Sequence, residues 1–233
     1  MEQNTPIVES NAKNFEDLKN DLISLAEEND ACSDAAEQLE SAETIECLLK
    51  VVKDNISWCC QNIPECADKL VACFGNELLL KYNIYVSGVH NINVTEANTV
   101  IVLCGSSSAT VKTWDSSSAT VETWGSSSAT VETWGSSSAT VETWGSSSAT
   151  VKTCGSSSAT VETWGSSSAT VETWGSSSAT VKTCASSSAN IGRYFSSKLE
   201  YSLGYGICPL IKHLTEKKVF IKTSEFEIVQ VSQ

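Results

Sequence analysis

Histidine is almost missing from this chain. His90 and His213 are the two in 233 residues, and neither stands in a recognisable nucleophile–base motif. No glycine-rich loop able to cradle a phosphate appears, so the expectation is a protein that is not an enzyme and needs no cofactor. Basic side chains are also few, 15 against 28 acidic ones, and they form no stripe, which argues against direct nucleic-acid binding. No apolar run is long enough for a membrane span, and Met1–Pro6 lacks the basic and apolar regions of a secretion signal. The expected location is therefore the cytoplasm. Association with a virion is the alternative, since virion proteins need no signal. In a reducing compartment the ten cysteines read as thiols rather than a disulfide framework. The Cys59-Cys60, Cys66, Cys73 group matches no common zinc spacing and reads as small buried hydrophobes, with no metal expected.

Repetition is what the chain has in abundance. Eight near-identical decapeptides run from Gly105 to Cys184, with the consensus Gly-Ser-Ser-Ser-Ala-Thr-Val-Glu-Thr-Trp. One unit of this size cannot bury a core alone, so stacked neighbours must supply it. Within Ala109-Thr110-Val111-Lys112-Thr113-Trp114 the side chains should alternate between faces. The charged position sets the phase, because Lys or Glu in a narrow dry interior carries a large desolvation cost. Ala, Val and the second Thr then point inward, and the first Thr, the charge and Trp outward. Gly-Ser-Ser-Ser supplies the corner, where Asp115 replaces one Gly because Asp tolerates left-handed geometry.

Chain reach sets the size of the coil. Six extended residues span roughly 20 Å, and the remaining four reach at most about 14 Å. Four residues cannot turn, cross back and turn again if the hexapeptide is straight, so one decapeptide is expected to be half of a coil of about 20 residues. A curved hexapeptide is the alternative, with about ten residues per coil. One face then carries Lys112, Glu132, Lys152 and Glu172, and the other Glu122, Glu142, Glu162 and Lys182. Trp114 and Trp134 stack on one side, with Cys154 interrupting before Trp174. Trp124, Trp144 and Trp164 stack on the other, followed by Cys184. These six tryptophans form the candidate binding surface. They either rigidify the rod or present a flat aromatic strip to a glycan or a protein.

The rest of the chain flanks this block. Residues 1–13 read as a flexible N-terminus and 14–82 as an acidic helical head, since residues 1–88 hold seventeen acidic side chains and six lysines. Phe15, Leu18, Leu22 and Leu25 form one apolar stripe, and Ile45, Leu48, Leu49, Val52 and Ile56 another. Pro64 suits a first helical turn and Gly75 a helix stop, with a last short helix over 76–81. These faces need a partner, and the open end of the solenoid is the candidate. Residues 83–104 read as the opening rungs, with Thr99, Ile101 and Leu103 matching Ala109, Val111 and Thr113 ten residues on. Residues 105–184 are the eight repeats. Residues 185–233 read as degenerate rungs and a C-terminal β cap, with closing strands at Val219–Ile221 and Phe226–Val231. The fold class is thus mainly β with an α-helical N-terminal part. It is a β-solenoid, or β-helix, capped by helices at the N-terminus and by irregular strands at the C-terminus.

The motif Ser-Ala-Thr-Val-(Glu/Lys)-Thr-Trp-Gly over about 97–194 resembles the decapeptide-repeat β-solenoid proteins of gut Bacteroidales and bacteriophages. The helical segment followed by Lys81-Tyr82-Asn83-Ile84-Tyr85-Val86 is similar to the head that precedes such repeats. Pentapeptide-repeat proteins are more distantly similar: Ala109–Thr113 fits their small–polar–apolar pattern, whereas Trp114–Ser118 departs from it. The resemblance implies a solenoid fold and no established activity.

The first functional expectation is a structural or interaction protein, with the rod as spacer or binding surface and the head as docking module. Its partner is a protein or a glycan, with neither membrane nor nucleic acid involved. A glycan-binding rod, on a phage particle for example, is the alternative. Two minor alternatives are a DNA-mimic inhibitor, from the acidic head, and ice binding, from the threonine-rich rows. The outward triplet of Thr, charge and Trp is not the flat threonine grid that ice binding needs.

Overall fold

A computed structural model describes residues 14–204, 210–213, 215 and 218–221. The chain divides into two compact units, Met1–Leu79 and Leu80–Gln233. The sequence-based reading of 1–13 as flexible lies outside the described residues, as does the closing strand expected at Phe226–Val231.

The first unit is helical. It holds α1 (Phe15–Glu28), α2 (Ser33–Ser41), α3 (Ile45–Asp54), α4 (Ile56–Asn62) and most of α5 (Cys66–Lys81). Side-chain oxygens start two of these helices: Asn14 Oδ1 accepts from the Asp17 N–H at 2.9 Å, and Thr44 Oγ1 from the Cys47 N–H at 3.2 Å. The apolar stripes are buried at Leu18 and Leu22 on α1 and at Leu48, Leu49, Val52 and Ile56 along α3 and α4, while Phe15, Leu25 and Ile45 are only half-buried. The second stripe is not one helix, however. Asn55 closes α3, its backbone and side-chain N–H groups both donating to Val51 O, and α4 begins at Ile56. Gly75, at φ 71°, breaks α5 where the sequence suggested a stop. Pro64 sits in the turn before α5 rather than in its first turn, and Glu65 takes the left-handed φ of 55° there. Among the described residues no helix is long and apolar enough to cross a membrane.

The second unit is a parallel β-solenoid of about 20 residues per coil. Its opening strands are β1 (Ile84–Tyr85), β2 (Val89–Val94) and β3 (Thr99–Leu103). The repeats give β4 (Ser108–Thr113), β5 (Ser118–Thr123), β6 (Ser128–Thr133) and β7 (Ser138–Thr143), then β8 (Ser148–Thr153), β9 (Ser158–Thr163), β10 (Ser168–Thr173) and β11 (Ser178–Thr183). β12 (Ser188–Arg193), β13 (Lys198–Leu203), β14 (Leu210–His213) and β15 (Lys218–Ile221) follow. The odd strands β1 to β13 form one seven-stranded sheet. The even strands β2 to β14, with β15 at the edge, form an eight-stranded one. Pairing is parallel and in register, Val111 opposite Val131 and Val121 opposite Val141. The last pair, β14 with β15, is antiparallel and so ends the parallel ladder.

Ala, Val and the second Thr of every repeat point into the thin core, as the charge phase predicted. Larger side chains fill the ends: Ile101 and Leu103 at the start, Ile191 and Ile211 beyond the repeats, with Leu199, Tyr201 and Leu203 packed against them. Each corner turns through a residue with positive φ. Glycine fills most of these places, Asn98 (59°), Asp115 (57°), Ala185 (56°) and Phe195 (60°) the rest.

One expectation needs correcting. The extended stretch is Ser108–Thr113 rather than Ala109–Trp114, so Trp opens the corner instead of closing the strand. Strand alternation therefore does not decide which way the indole faces, and Trp124 is 4% exposed despite the expected outward orientation.

Candidate functional site

The six tryptophans lie where the coil register puts them, in two rows along the two corners. In the first row Trp124, Trp144 and Trp164 stack with ring centroids 4.9 and 5.0 Å apart and planes within 6° and 4°. Buried cysteines, Cys104 and Cys184, stand at its two ends. In the second row Trp114 stacks on Trp134 at 5.7 Å and 14°. Cys154 then interrupts, and Trp174 stacks on Tyr194 at 4.0 Å and 13°. Tyr194 continues the aromatic row one coil past the repeats. Phe195 tilts against Trp174 at 6.0 Å.

Stacking decides what each row presents. In a continuous stack every inner indole has both faces covered by its neighbours, so only ring edges reach solvent. Sugar rings pack on aromatic faces, and Trp144 offers none. The second row is more open, with Trp114 and Trp134 the exposed indoles at 42% and 38%.

The outward charges follow the predicted order. On the even-strand sheet, Lys112 pairs with Glu132 at 3.4 Å, and Glu132, Lys152 and Glu172 alternate in register. On the odd-strand sheet, Glu122, Glu142 and Glu162 follow one another before Lys182, which reaches Glu162 at 3.5 Å. Burial first, then the Glu122 charge, raises the Glu142 carboxyl above the usual 4.5, against a hydrogen bond from Trp144 that lowers it. Trp124 and Trp144 donate their indole N–H to Glu122 and Glu142 at 3.2 and 3.4 Å. Lys182 Nζ lies 5.2 Å above the Trp164 ring, on the stack that Cys184 ends.

The sequence reading missed a second row, inside the rod. The middle Ser of each corner is buried. Ser147 Oγ accepts from the Trp144 N–H at 3.0 Å and donates to Thr123 O or Trp144 O, while sharing a 3.0 Å hydrogen bond with Thr123 Oγ1. The same set recurs at Ser137, Ser157 and Ser177. Thr183 Oγ1 is the buried side-chain oxygen without a partner among the described residues. The residue 24 places on from it is Ile207, which has no hydroxyl. Serine as a corner residue was legible, but its burial needs the coil above to be in place.

The helical unit contains an apolar cavity of about 140 Å³, walled by Leu22, Leu39, Val52, Trp58, Leu70 and Phe74 among others. Four cysteines, Cys32, Cys59, Cys66 and Cys73, also border it. The Cys60 and Cys66 sulfurs are 3.7 Å apart. Burial and neighbouring Cys66 push the Cys59 thiol up to about 12, and the hydrogen bond with Cys60, together with burial, raises Cys66. Thiols held neutral in this way are poor nucleophiles and poor metal ligands. Among the described residues no three His, Cys, Asp or Glu side chains converge as a metal site. No family model, curated protein or solved structure matches the chain.

Proposed function

We propose that this chain is a structural or interaction protein, with no enzymatic role, whose solenoid acts as scaffold and binding surface. The observation behind this reading is how the repeat spends its polar groups. Apart from Thr183, the inner Ser and Thr hydroxyls are taken up in bonds between and within coils, as at Ser147 and Thr123. What remains outward is a registered grid of Thr, charge and indole side chains. Such a grid suits a protein partner with rows of complementary charge, in the cytoplasm or on a virion. The registered stacking also supports a place among the decapeptide-repeat solenoids of gut bacteria and phages.

The test is affinity capture with the full chain and with a charge-reversed rod, Lys112→Glu with Lys152→Glu. A specific protein recovered by the first and lost with the second supports the reading. Failure of head and rod alike to recover any specific partner would sink it. The exposed Trp114–Trp134 pair supports the glycan alternative more than the continuous row does. Glycan-array binding abolished by Trp134→Ala but kept by Trp144→Ala would favour that alternative.

A further inference from the structure

Three cysteines stand at the tryptophan position of the coil, and they are not equivalent. Cys104 and Cys184 end the first row and are 1% and 0% exposed. Cys154 sits in the middle of the second row, with an indole one rung away on either side, and is only partly buried. The backbone does not break there: the Cys154 N–H donates to Thr133 O at 2.9 Å and the Trp174 N–H to Thr153 O at 2.8 Å. Trp134 and Trp174 are thus two rungs apart, roughly 9.6 Å along the rod. At the other corner the same two-rung interval, from Trp124 to Trp164, holds the ring of Trp144. At the second corner the same interval holds a thiol where the first has a ring.

Among the described residues no aromatic ring stacks in that interval. Trp134 stacks only on Trp114, and Trp174 only on Tyr194, with Phe195 tilted beside it. At the comparable Trp164 face the chain supplies the Lys182 ammonium, yet no cation lies over Trp134 or Trp174. We infer that the gap left by Cys154 is a binding slot for one flat, uncharged aromatic ring of a small molecule, of about the size of indole. The ring completes the stack as Trp144 does at the other corner, with its faces on Trp134 and Trp174 and one edge on the Cys154 sulfur. Glu132, Lys152 and Glu172 project from neighbouring rungs with both signs, so charge does not select the ligand. Burial and Glu132 raise the Cys154 thiol, which therefore stays neutral beside the ring.

Indole is the probe, and the readout is local to the slot. The full chain is pulsed with a small maleimide at rising indole concentration and then digested. Cleavage after Lys152 and Lys182 yields a peptide whose one cysteine is Cys154. The expected result is a saturable slowing of Cys154 modification, about threefold at twice a roughly millimolar Kd, with exposed Cys47 unaffected. An unchanged Cys154 rate overturns the proposal, and so does equal slowing at Cys47. Trp134→Phe should keep the protection and Trp134→Ala should lose it; protection that survives in a folded Trp134→Ala chain also overturns it. Cys154→Trp gives an independent check. If the rung has room for a ring, Tm rises by about 2–4 °C. A lower Tm means that there is no slot.

Discussion

The two corners of the solenoid are built from the same decapeptide, yet they hold their outer side chains differently. At the first corner Trp124, Trp144 and Trp164 stack without interruption, and the adjoining sheet carries three glutamates in succession. At the second, Cys154 splits the aromatic row, and the adjoining sheet alternates Lys and Glu. Where charges alternate, opposite signs on neighbouring rungs attract. Where they do not, indole N–H groups of the intact stack donate to Glu122 and Glu142. The aromatic row thus offsets part of the like-charge repulsion beside it. The interior, by contrast, is the same at both corners, down to the Ser–Thr bonds. The comparison separates a common inner frame from two outer surfaces tuned independently.

The largest expected effect comes from breaking the frame at a corner. Gly165 has φ 71°, and a Cβ there would lie 3.1 Å from Gly145 O and 3.2 Å from Gly145 N. At Gly175, on the other corner, the nearest atoms are at 3.4 and 3.5 Å. A left-handed conformation alone costs an L-residue roughly 1–2 kcal/mol. Gly165→Ala should therefore destabilise by about 2 kcal/mol or more, and Gly175→Ala by less. Thermal melts followed by tryptophan fluorescence would show it, at roughly 2–4 °C per kcal/mol. Equal losses would mean that the two sites are equally tight. Gly145 and Gly155, with nearest atoms at 3.3 and 3.2 Å on the first and second corner, should lose about the same. Ala185→Gly runs the other way. It relieves a φ of 56°, and a gain of roughly 1 kcal/mol is expected.

Next in size is the buried serine row. Ser147→Ala at the first corner, or Ser157→Ala at the second, removes one of two acceptors of a backbone N–H (Trp144 or Cys154) and one of two partners of a buried Thr hydroxyl. Each should cost about 1 kcal/mol, since the groups left behind keep a carbonyl partner. The two losses should agree, because the inner geometry is shared. A loss at one corner alone would show that the frame differs as well as the surface.

Much of this architecture is legible in the amino-acid sequence. An exact period, a charge that cannot face a dry core and the reach of ten residues together lead to half-coils, two sheets and the pairing of Trp124 with Trp144 and Trp164. What was not legible depends on atoms from another coil. The one-residue shift that puts Trp at the corner follows from where the left-handed glycine closes the turn, and the period is silent on that. Ser147 reads as a generic turn residue until Thr123, 24 positions earlier, is stacked against it. In the helical unit the apolar stripes of α1 and α3 were visible in their spacing. The cavity between helices was not, because it depends on how five short elements meet.

The smallest expected effect tests the charge comparison directly. Glu142→Lys would convert the odd-strand sheet to the alternation that the even-strand sheet already has, between Glu122 and Glu162. Partly exposed cross-strand pairs contribute little, so a gain of about 0.5–1 kcal/mol is expected at neutral pH and low salt, shrinking in high salt. The loss of the Trp144 N–H acceptor works against it. A pH series separates the two effects. Because the Glu142 carboxyl is raised above 4.5 in the folded chain, the folded state binds that proton more tightly than the unfolded one. The resulting stabilisation is complete below 4.5 and is lost as pH rises through the raised folded value. The wild-type rod should therefore lose part of its stability over the range just above 4.5, and Glu142→Lys should flatten that slope. A variant with an unchanged slope would show that the Glu142 carboxylate is not disfavoured in the fold, and the two sheets would then differ in sequence without differing in electrostatic strain.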